Sequence, residues 1–284
     1  MGEVSVLQRT TDLTAWAESS RCAGRRVGLV PTMGALHDGH LSLAVRALAE
    51  CDDVVLTVFV NPLQFAPGED LDAYPRHLDA DLDLAARAGV SAVFAPAVEE
   101  MFPAEVATTV HVAGLTEVLD GRARPTHFDG VATVVAKLFA MVGSCRAYFG
   151  EKDFQQLTVI RRMAADLSFP VDVVGCPTVR ARDGLALSSR NAYLTAEERS
   201  AAPVLHRALQ AGAAAVAAGE RDPSAVTELV GAIVAAESLL ALESADIVDV
   251  STLRTPAVLA GELRLLVAAR AGRARLIDNV GVRA

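Results

Sequence analysis

His37 and His40 stand three residues apart in Pro31-Thr32-Met33-Gly34-Ala35-Leu36-His37-Asp38-Gly39-His40, after an apolar run at 27–30 and before apolar residues at helical spacing from about Leu41. A strand that passes through a Gly-containing loop into a helix is a candidate anion site. The helix start aims free backbone N–H groups and the positive end of its dipole at whatever occupies the loop. If the first turn is helical, the spacing puts both imidazoles on one face beside that anion. There a histidine near neutral pH can give a proton or a hydrogen bond to a departing oxygen. Gly34 and Gly39 let the chain turn tightly and a ligand come close. Two plainer readings stand beside this one: a capped helix with two solvent-facing histidines, and a metal pair. The pair lacks a third and fourth ligand at usable spacing, so no metal ligand is assigned.

A second cation is conspicuous because of its type. All but two of the 26 basic residues are arginines, the exceptions being Lys137 and Lys152. Lys137 falls in a helical apolar pattern (Val131, Val134, Val135, Leu138, Phe139) and reads as a snorkelling lysine. Lys152 lies in Gly150-Glu151-Lys152-Asp153-Phe154-Gln155-Gln156-Leu157, after another apolar run and at the opening of another helix. A compact ammonium suits a crowded phosphate where a planar guanidinium does not. Two histidines at one helix start, a lysine at another and a Ser188-Ser189-Arg190 segment further on together suit a nucleoside triphosphate. Charge grows on its oxygens during attack at phosphorus, and preorganised donors are the main catalytic lever there.

The elements that would position these groups follow from the apolar pattern. Runs at 27–30, 54–60, 92–94, 109–112, 147–149 and 171–174 alternate with helical patterns, which predicts a mostly parallel sheet wrapped by helices. Ligands of such sheets collect beyond the carboxyl ends of the strands. The histidine loop, the Lys152 segment and a long polar loop (Asn61-Pro62-Leu63-Gln64-Phe65, then Gly68-Glu69-Asp70-Leu71-Asp72-Ala73-Tyr74-Pro75-Arg76) would then converge on one edge. Past Val179 the character changes: a turn at Arg182-Asp183-Gly184, Ala-rich helices at 196–218 and 224–241, and strands near 245–250, 263–268 and 275–280. The expected division is 1–178 and 179–284, the latter a smaller α+β lid domain with Asp183-Gly184 near the hinge.

Composition narrows the function classes. At 284 residues and 52% hydrophobic, the chain suits one large and one small domain. A net charge of −9 with no Lys/Arg run argues against general nucleic-acid binding. Four scattered cysteines, no basic-then-apolar leader and no membrane-length apolar run point to a cytoplasmic protein off the membrane. No G-x-x-x-x-G-K-[ST], G-x-G-x-x-G or G-x-S-x-G pattern occurs at a strand end, which removes P-loop, dinucleotide and hydrolase-elbow readings.

The histidine loop, Phe59-Val60-Asn61-Pro62-Leu63-Gln64-Phe65, Tyr74-Pro75-Arg76, Gly150-Glu151-Lys152-Asp153 and Ser188-Ser189-Arg190-Asn191 run in order across nearly the whole chain and resemble the pantothenate synthetase family. That resemblance implies a Rossmann-like α/β fold of the His-Ile-Gly-His nucleotidyltransferase class and a two-step ligation. Pantoate attacks the ATP α-phosphate to give pantoyl adenylate and pyrophosphate, then β-alanine displaces AMP. Mg2+ would travel with the nucleotide, and the family forms homodimers. By the same resemblance Met33, Gly34, Ala35, Leu36, His37, Asp38, Gly39 and His40 line the ATP site, with His40 as phosphate-side proton donor and His37 beside it. Gly150, Glu151, Lys152 and Asp153 hold the nucleotide, Asp153 towards the ribose and Lys152 on the phosphates. Val179, Leu187, Ser188, Ser189 and Arg190 complete the ATP set, and Gln64 and Gln156 hydrogen-bond pantoate.

Three positions depart from the family pattern: Asp38 where Glu is common, Leu187 where Met is usual, and Ala80 breaking an acidic run between Asp79 and Asp81, so no metal ligand is assigned there. Arg124 and His127 match the family pattern, which would set them at the border of the acceptor-amine side, and Tyr74 either shapes its loop or touches substrate. Two rivals remain. One is a relative of the same superfamily with another acceptor, which would favour Arg or Lys over the amides Gln64 and Gln156 if that acceptor were a phosphate. The other is a non-catalytic ATP sensor that binds without releasing pyrophosphate.

Overall fold

A computed structural model describes residues 4–66, 71, 72 and 74–284. Gly68, Glu69, Asp70 and Ala73 of the polar loop, and Met1, Gly2 and Glu3 at the start of the sequence, lie outside the described residues. The chain divides into two compact units: Met1–Glu151 with Gln156–Pro177, and Lys152–Gln155 with Thr178–Ala284.

The first unit runs β1 (Ser5–Leu7), α1 (Thr10–Cys22), β2 (Val27–Val30), α2 (Asp38–Glu50), β3 (Asp53–Thr57), α3 (Leu78–Ala88), β4 (Ala92–Phe94), α4 (Val98–Met101), α5 (Asp120–Ala123), α6 (His127–Val142), β5 (Cys145–Gly150), α7 (Phe154–Asp166) and β6 (Val171–Cys176). The first two residues of α7 group with the second unit. Its six strands form one parallel sheet in the order β1-β4-β3-β2-β5-β6. The chain winds one way from β2 through β3 to β4, then returns to β5 beside β2. The crevice beyond the ends of β2 and β5 is thus the topological switch point of a Rossmann-like sheet.

The central strands are covered on both faces, hence their continuous apolar runs. Val30, Leu56, Val93 and Tyr148 pack with Leu43, Ala44 and Ala47 of α2 and Ala85 of α3. The next residue along, Phe149, points the other way and meets Phe139 of α6 edge-on at 6.5 Å.

The second unit is α+β: α8 (Ala196–Ala201), α9 (Val204–Ala217), α10 (Pro223–Ala235) and an antiparallel sheet β7-β8-β9 (Ala241–Asp249, Glu262–Ala271, Ala274–Arg283). Leu205, Leu209, Val226 and Val230 of α9 and α10 pack on Ile247, Leu263, Leu265, Val267 and Leu276. Among the described residues no helix is long and apolar enough to cross a membrane.

Three expectations are corrected. Residues 109–112 form no strand. Side chains hold them in place of a strand neighbour, Val110 N donating to Thr133 Oγ1 at 2.9 Å and His111 meeting Asp129 at 3.0 Å. The helix expected over 196–218 breaks at Ala202 and Pro203, since proline has no N–H for the ladder. The Asp183-Gly184 turn lies inside the second unit, whose boundary falls at Thr178. Strand β1 carried no expectation, being three residues long and mostly exposed.

Candidate active site

The ends of β2 and β3 are laced by two threonines. Thr32 N donates to Thr57 Oγ1 at 3.1 Å, Thr32 Oγ1 donates to Thr57 O at 2.5 Å, and Gly34 N returns to Thr32 Oγ1 at 3.1 Å. From there the loop enters left-handed backbone twice, at Gly34 (φ 83°) and Ala35 (φ 50°). Glycine is required at the first position. A Cβ on Gly34 would stand 2.8 Å from Asp81 Oδ2 and 2.9 Å from Val58 Cγ1.

Asp81 is the clamp of this loop. It is 3% exposed on α3, and its carboxylate accepts from Ala35 N at 3.0 Å and from Leu36 N at 2.7 Å. A buried carboxylate is tolerable only when so hydrogen-bonded. Sequence reasoning misses it, because the acidic run at Asp79 and Asp81 reads only as a question of metal; the signal it carries is Asp81's place on the core-facing side of the helix.

The helix begins at Asp38, three residues before the expected Leu41. His37 is its N-cap, in extended backbone (φ −145°), and its Nδ1 accepts from Gly39 N at 3.1 Å. The cap is therefore the histidine rather than Asp38, which is exposed in the first turn. A neutral imidazole accepting through Nδ1 carries its proton on Nε2. The rings of His37 and His40 lie 4.1 Å apart, tilted by 33°; since His37 is the extended cap rather than a helical residue, cap geometry and not a shared helical face brings the two imidazoles together. Gly39 serves through its amide in the first turn, not through a special backbone angle.

The loop after β3 is built on Asn61, 1% exposed. Its Nδ2 donates to Gln64 Oε1 at 3.1 Å and to Gly130 O at 3.0 Å, and its Oδ1 caps the short turn Pro62–Gln64 by accepting from Leu63 N. Gln64 is thereby oriented, its Nε2 lying 2.8 Å from Met33 Sδ. The turn rests directly on α6, where a Cβ on Gly130 would run into the carbonyl of Leu63. Arg124 and His127 reach the same loop: Nη2 donates to Gln64 O at 3.2 Å, and His127 Nδ1 meets that oxygen at 2.8 Å. Both hold the backbone of Gln64. Tyr74 is 5% exposed and packs edge-on against Phe65 at 6.2 Å, which shapes the loop.

At the end of β5, Gly150 and Glu151 are half-buried, as is Gln156 on α7; its neighbour Gln155 is the buried one, 5% exposed. Lys152 and Asp153 belong to the second unit, the ammonium 3.7 Å from Asp153 Oδ1, with Lys152 half-buried and Asp153 exposed. The second unit also brings Val179 and Leu187 opposite each other. Leu187 N donates to Val179 O at 2.9 Å, Ala181 N to Leu185 O at 2.8 Å, and Gly184 (φ 96°) turns the tip. Arg180 anchors this hairpin with two bonds to the buried Asp278, at 2.6 and 2.8 Å. Ser188 caps the next turn, its Oγ accepting from Arg190 N at 3.3 Å, and Ser189 opens it.

No three His, Cys, Asp or Glu side chains come together at ligand distance among the described residues. In the first unit the start of α2 carries the His37–His40 pair, and the amide side chain of Gln64 is oriented on the neighbouring loop.

Comparisons with known proteins show the family. The family model described as pantoate-beta-alanine ligase matches residues 5–281. The chain is 51% identical over 277 residues to pantothenate synthetase of Moorella thermoacetica, covering 98% of each. It is 54% identical over 265 residues to that of Dinoroseobacter shibae, covering 92% of this chain and 93% of the relative. The crystal structure of pantothenate synthetase from Thermus thermophilus matches with a TM-score of 0.92 at 48% identity, over 99% of this chain and 100% of that one. Pantoate-beta-alanine ligase from Francisella tularensis, complexed with beta-gamma ATP and beta-alanine, matches with a TM-score of 0.81 at 29% identity, over 98% and 97%. With a family match across nearly its whole length and relatives at half identity, the chain belongs to the pantoate-β-alanine ligase family of enzymes.

Proposed function

We propose that this enzyme joins pantoate and β-alanine in two steps. A pantoate carboxylate oxygen attacks the α-phosphorus of ATP, breaking the α–β phosphoanhydride bond and releasing pyrophosphate. The β-alanine amine then attacks the acyl carbon of the pantoyl adenylate, loses a proton and expels AMP. The observation that carries this reading is the stacked His37–His40 pair at the start of α2, beyond the central strand of the sheet. Donors fixed there, with the helix dipole behind them, stabilise charge as it grows on the phosphate oxygens.

In this reading the 33–40 loop cradles the nucleotide, with Met33, Gly34, Ala35, Leu36, Asp38 and Gly39 supplying its walls and amides. His40 gives a proton or hydrogen bond on the phosphate side, with His37 beside it. Gly150, Glu151 and Asp153 hold the nucleoside. Lys152, Val179, Leu187, Ser188, Ser189 and Arg190 bind the nucleotide phosphates in this reading, as the family resemblance implies. Gln64 and Gln156 bind pantoate through paired amide donors and acceptors, chemistry suited to a hydroxy acid rather than a phosphate. Mg2+ would enter on the nucleotide's own oxygens, as the resemblance implies, and no step here is routed through it. A homodimer and a cytoplasmic setting belong to the same proposal.

The test is pyrophosphate release from Mg-ATP with pantoate alone and then with β-alanine, in wild type and His40→Ala. Pantoate-dependent pyrophosphate, AMP on adding β-alanine, and a loss of ~100-fold or more in the variant are expected. ATP binding without pantoate-dependent turnover would overturn the reading in favour of a sensor or another acceptor.

A further inference from the structure

Lys152 is held at its backbone by a residue 127 positions later in the chain. Asn279 on β9 is 3% exposed, and its Nδ2 donates to Lys152 O at 2.7 Å. Its Oδ1 accepts from Arg264 Nε of β8 at 2.5 Å. Arginine only donates and a carbonyl only accepts, so this amide has one satisfiable orientation. The Arg264 guanidinium lies over the Phe154 ring at 4.3 Å, two residues past Lys152. Gly281 faces Arg264 in the strand register, where a Cβ would approach Nη1 at 3.3 Å, so the small residue leaves the arginine its path. One strand pair therefore grips both the carbonyl of Lys152 and the ring of Phe154, which is the physical reason that residues 152–155 group with the C-terminal unit rather than with the sheet they follow.

We propose that Asn279, fixed by Arg264, is a positioning residue for Lys152, setting the backbone from which the ammonium reaches the nucleotide phosphates. This rests on the reading that Lys152 acts on those phosphates. The amide donates to a main-chain oxygen and so leaves the ammonium free to act. An ångström of misplacement in such a group is enough to cost about 100-fold in rate.

The experiment is a double-mutant cycle on the full chain, using pantoate-dependent pyrophosphate release with Mg-ATP varied. Asn279→Asp keeps the shape and the acceptor for Arg264 but turns the donor facing Lys152 O into an acceptor. It is expected to lower kcat/KM for ATP by ~10- to 100-fold and to leave KM for β-alanine unchanged. In a Lys152→Ala background the same substitution should cause no further loss, because its effect passes through Lys152. An equal further loss in that background would overturn the proposal, as would wild-type kinetics in Asn279→Asp alone. Wild-type kinetics in Lys152→Ala would instead remove the reading beneath it. Melting curves accompany each variant; should Asn279→Asp melt below the assay temperature, Asn279→Ser carries the same cycle without adding charge.

Discussion

In the N-terminal unit the candidate ligand-binding loops are held from several elements at once: Asp81 from α3, Thr57 from β3, and Arg124 and His127 from just before and at the start of α6. In the C-terminal unit two consecutive residues of one strand do the corresponding work. Asp278 fixes the 179–187 hairpin through Arg180, and Asn279 fixes Lys152. Distributed anchors confine damage to one loop, whereas paired anchors on β9 make a single strand answer for two parts of the proposed nucleotide site. The difference follows from architecture. A parallel sheet delivers many loops to one edge, each with its own neighbours, while β9 of the antiparallel sheet carries two buried polar residues in succession, Asp278 and Asn279.

The largest expected effect is therefore at Asp278. Asp278→Ala strands the Arg180 guanidinium, itself 18% exposed, and removes the acceptor of Asn279 N as well. Breaking such a buried pair should cost ~3 kcal/mol, read from urea unfolding, with a raised KM for ATP. A loss under about 1 kcal/mol would place the pair with ordinary surface bridges and break the comparison.

Asp81→Ala comes next, at about 2 kcal/mol, because two main-chain donors lose their acceptor but water can reach the half-buried Ala35. Its signature should be a fall in kcat with the melting transition still cooperative, and no change in the kinetic consequence of Asn279→Asp. Gly34→Ala should cost ~1–2 kcal/mol from its left-handed angle and the contacts with Asp81 and Val58. Combining it with Asp81→Ala relieves one of those contacts, so the pair should fall short of additivity; full additivity would mean that the strain is backbone alone.

What the chain declared in advance was periodic or local. The apolar runs at 27–30 and 92–94 became strands with those bounds, and the i, i+3 histidines became a stacked pair. What it did not declare was held across distance. Asp81 meets Ala35 across 46 residues and Asn279 meets Lys152 across 127; a core-facing helical position marks Asp81 as buried, but no local pattern names the distant partner of either residue. Residues 109–112 show the converse error: β-branched composition predicts a strand, but pairing needs a neighbour, and here Thr133 and Asp129 of α6 satisfy the segment instead. The Ala-rich helix broke at Pro203, a local signal that the apolar pattern overrode.

The smallest effect separates the units by pH. His111, against α6, has its pKa raised, first by the hydrogen bond to Asp129 and then by Glu117, against some desolvation. The native state takes that proton before the unfolded chain does, so the added stability is complete below the ordinary value of about 6.5 and is lost as pH rises through the raised native value. His206, on α9, is shifted down, first by burial and then by the Arg180 cation, with Asp278 opposing. There the unfolded chain takes the proton first, so stability is complete above about 6.5 and falls away as pH drops towards the depressed native value. In wild type the two oppose each other, and single substitutions should expose them. His111→Gln should lower the melting temperature by roughly 2 °C or less near pH 5.5 and leave it unchanged near pH 8.5. His206→Gln should do the reverse in trend, gaining on wild type as pH falls. Parallel pH curves for the two variants would show that neither environment is as different as these contacts require, since one histidine faces two carboxylates at an exposed rim and the other faces an arginine beside the buried Asp278.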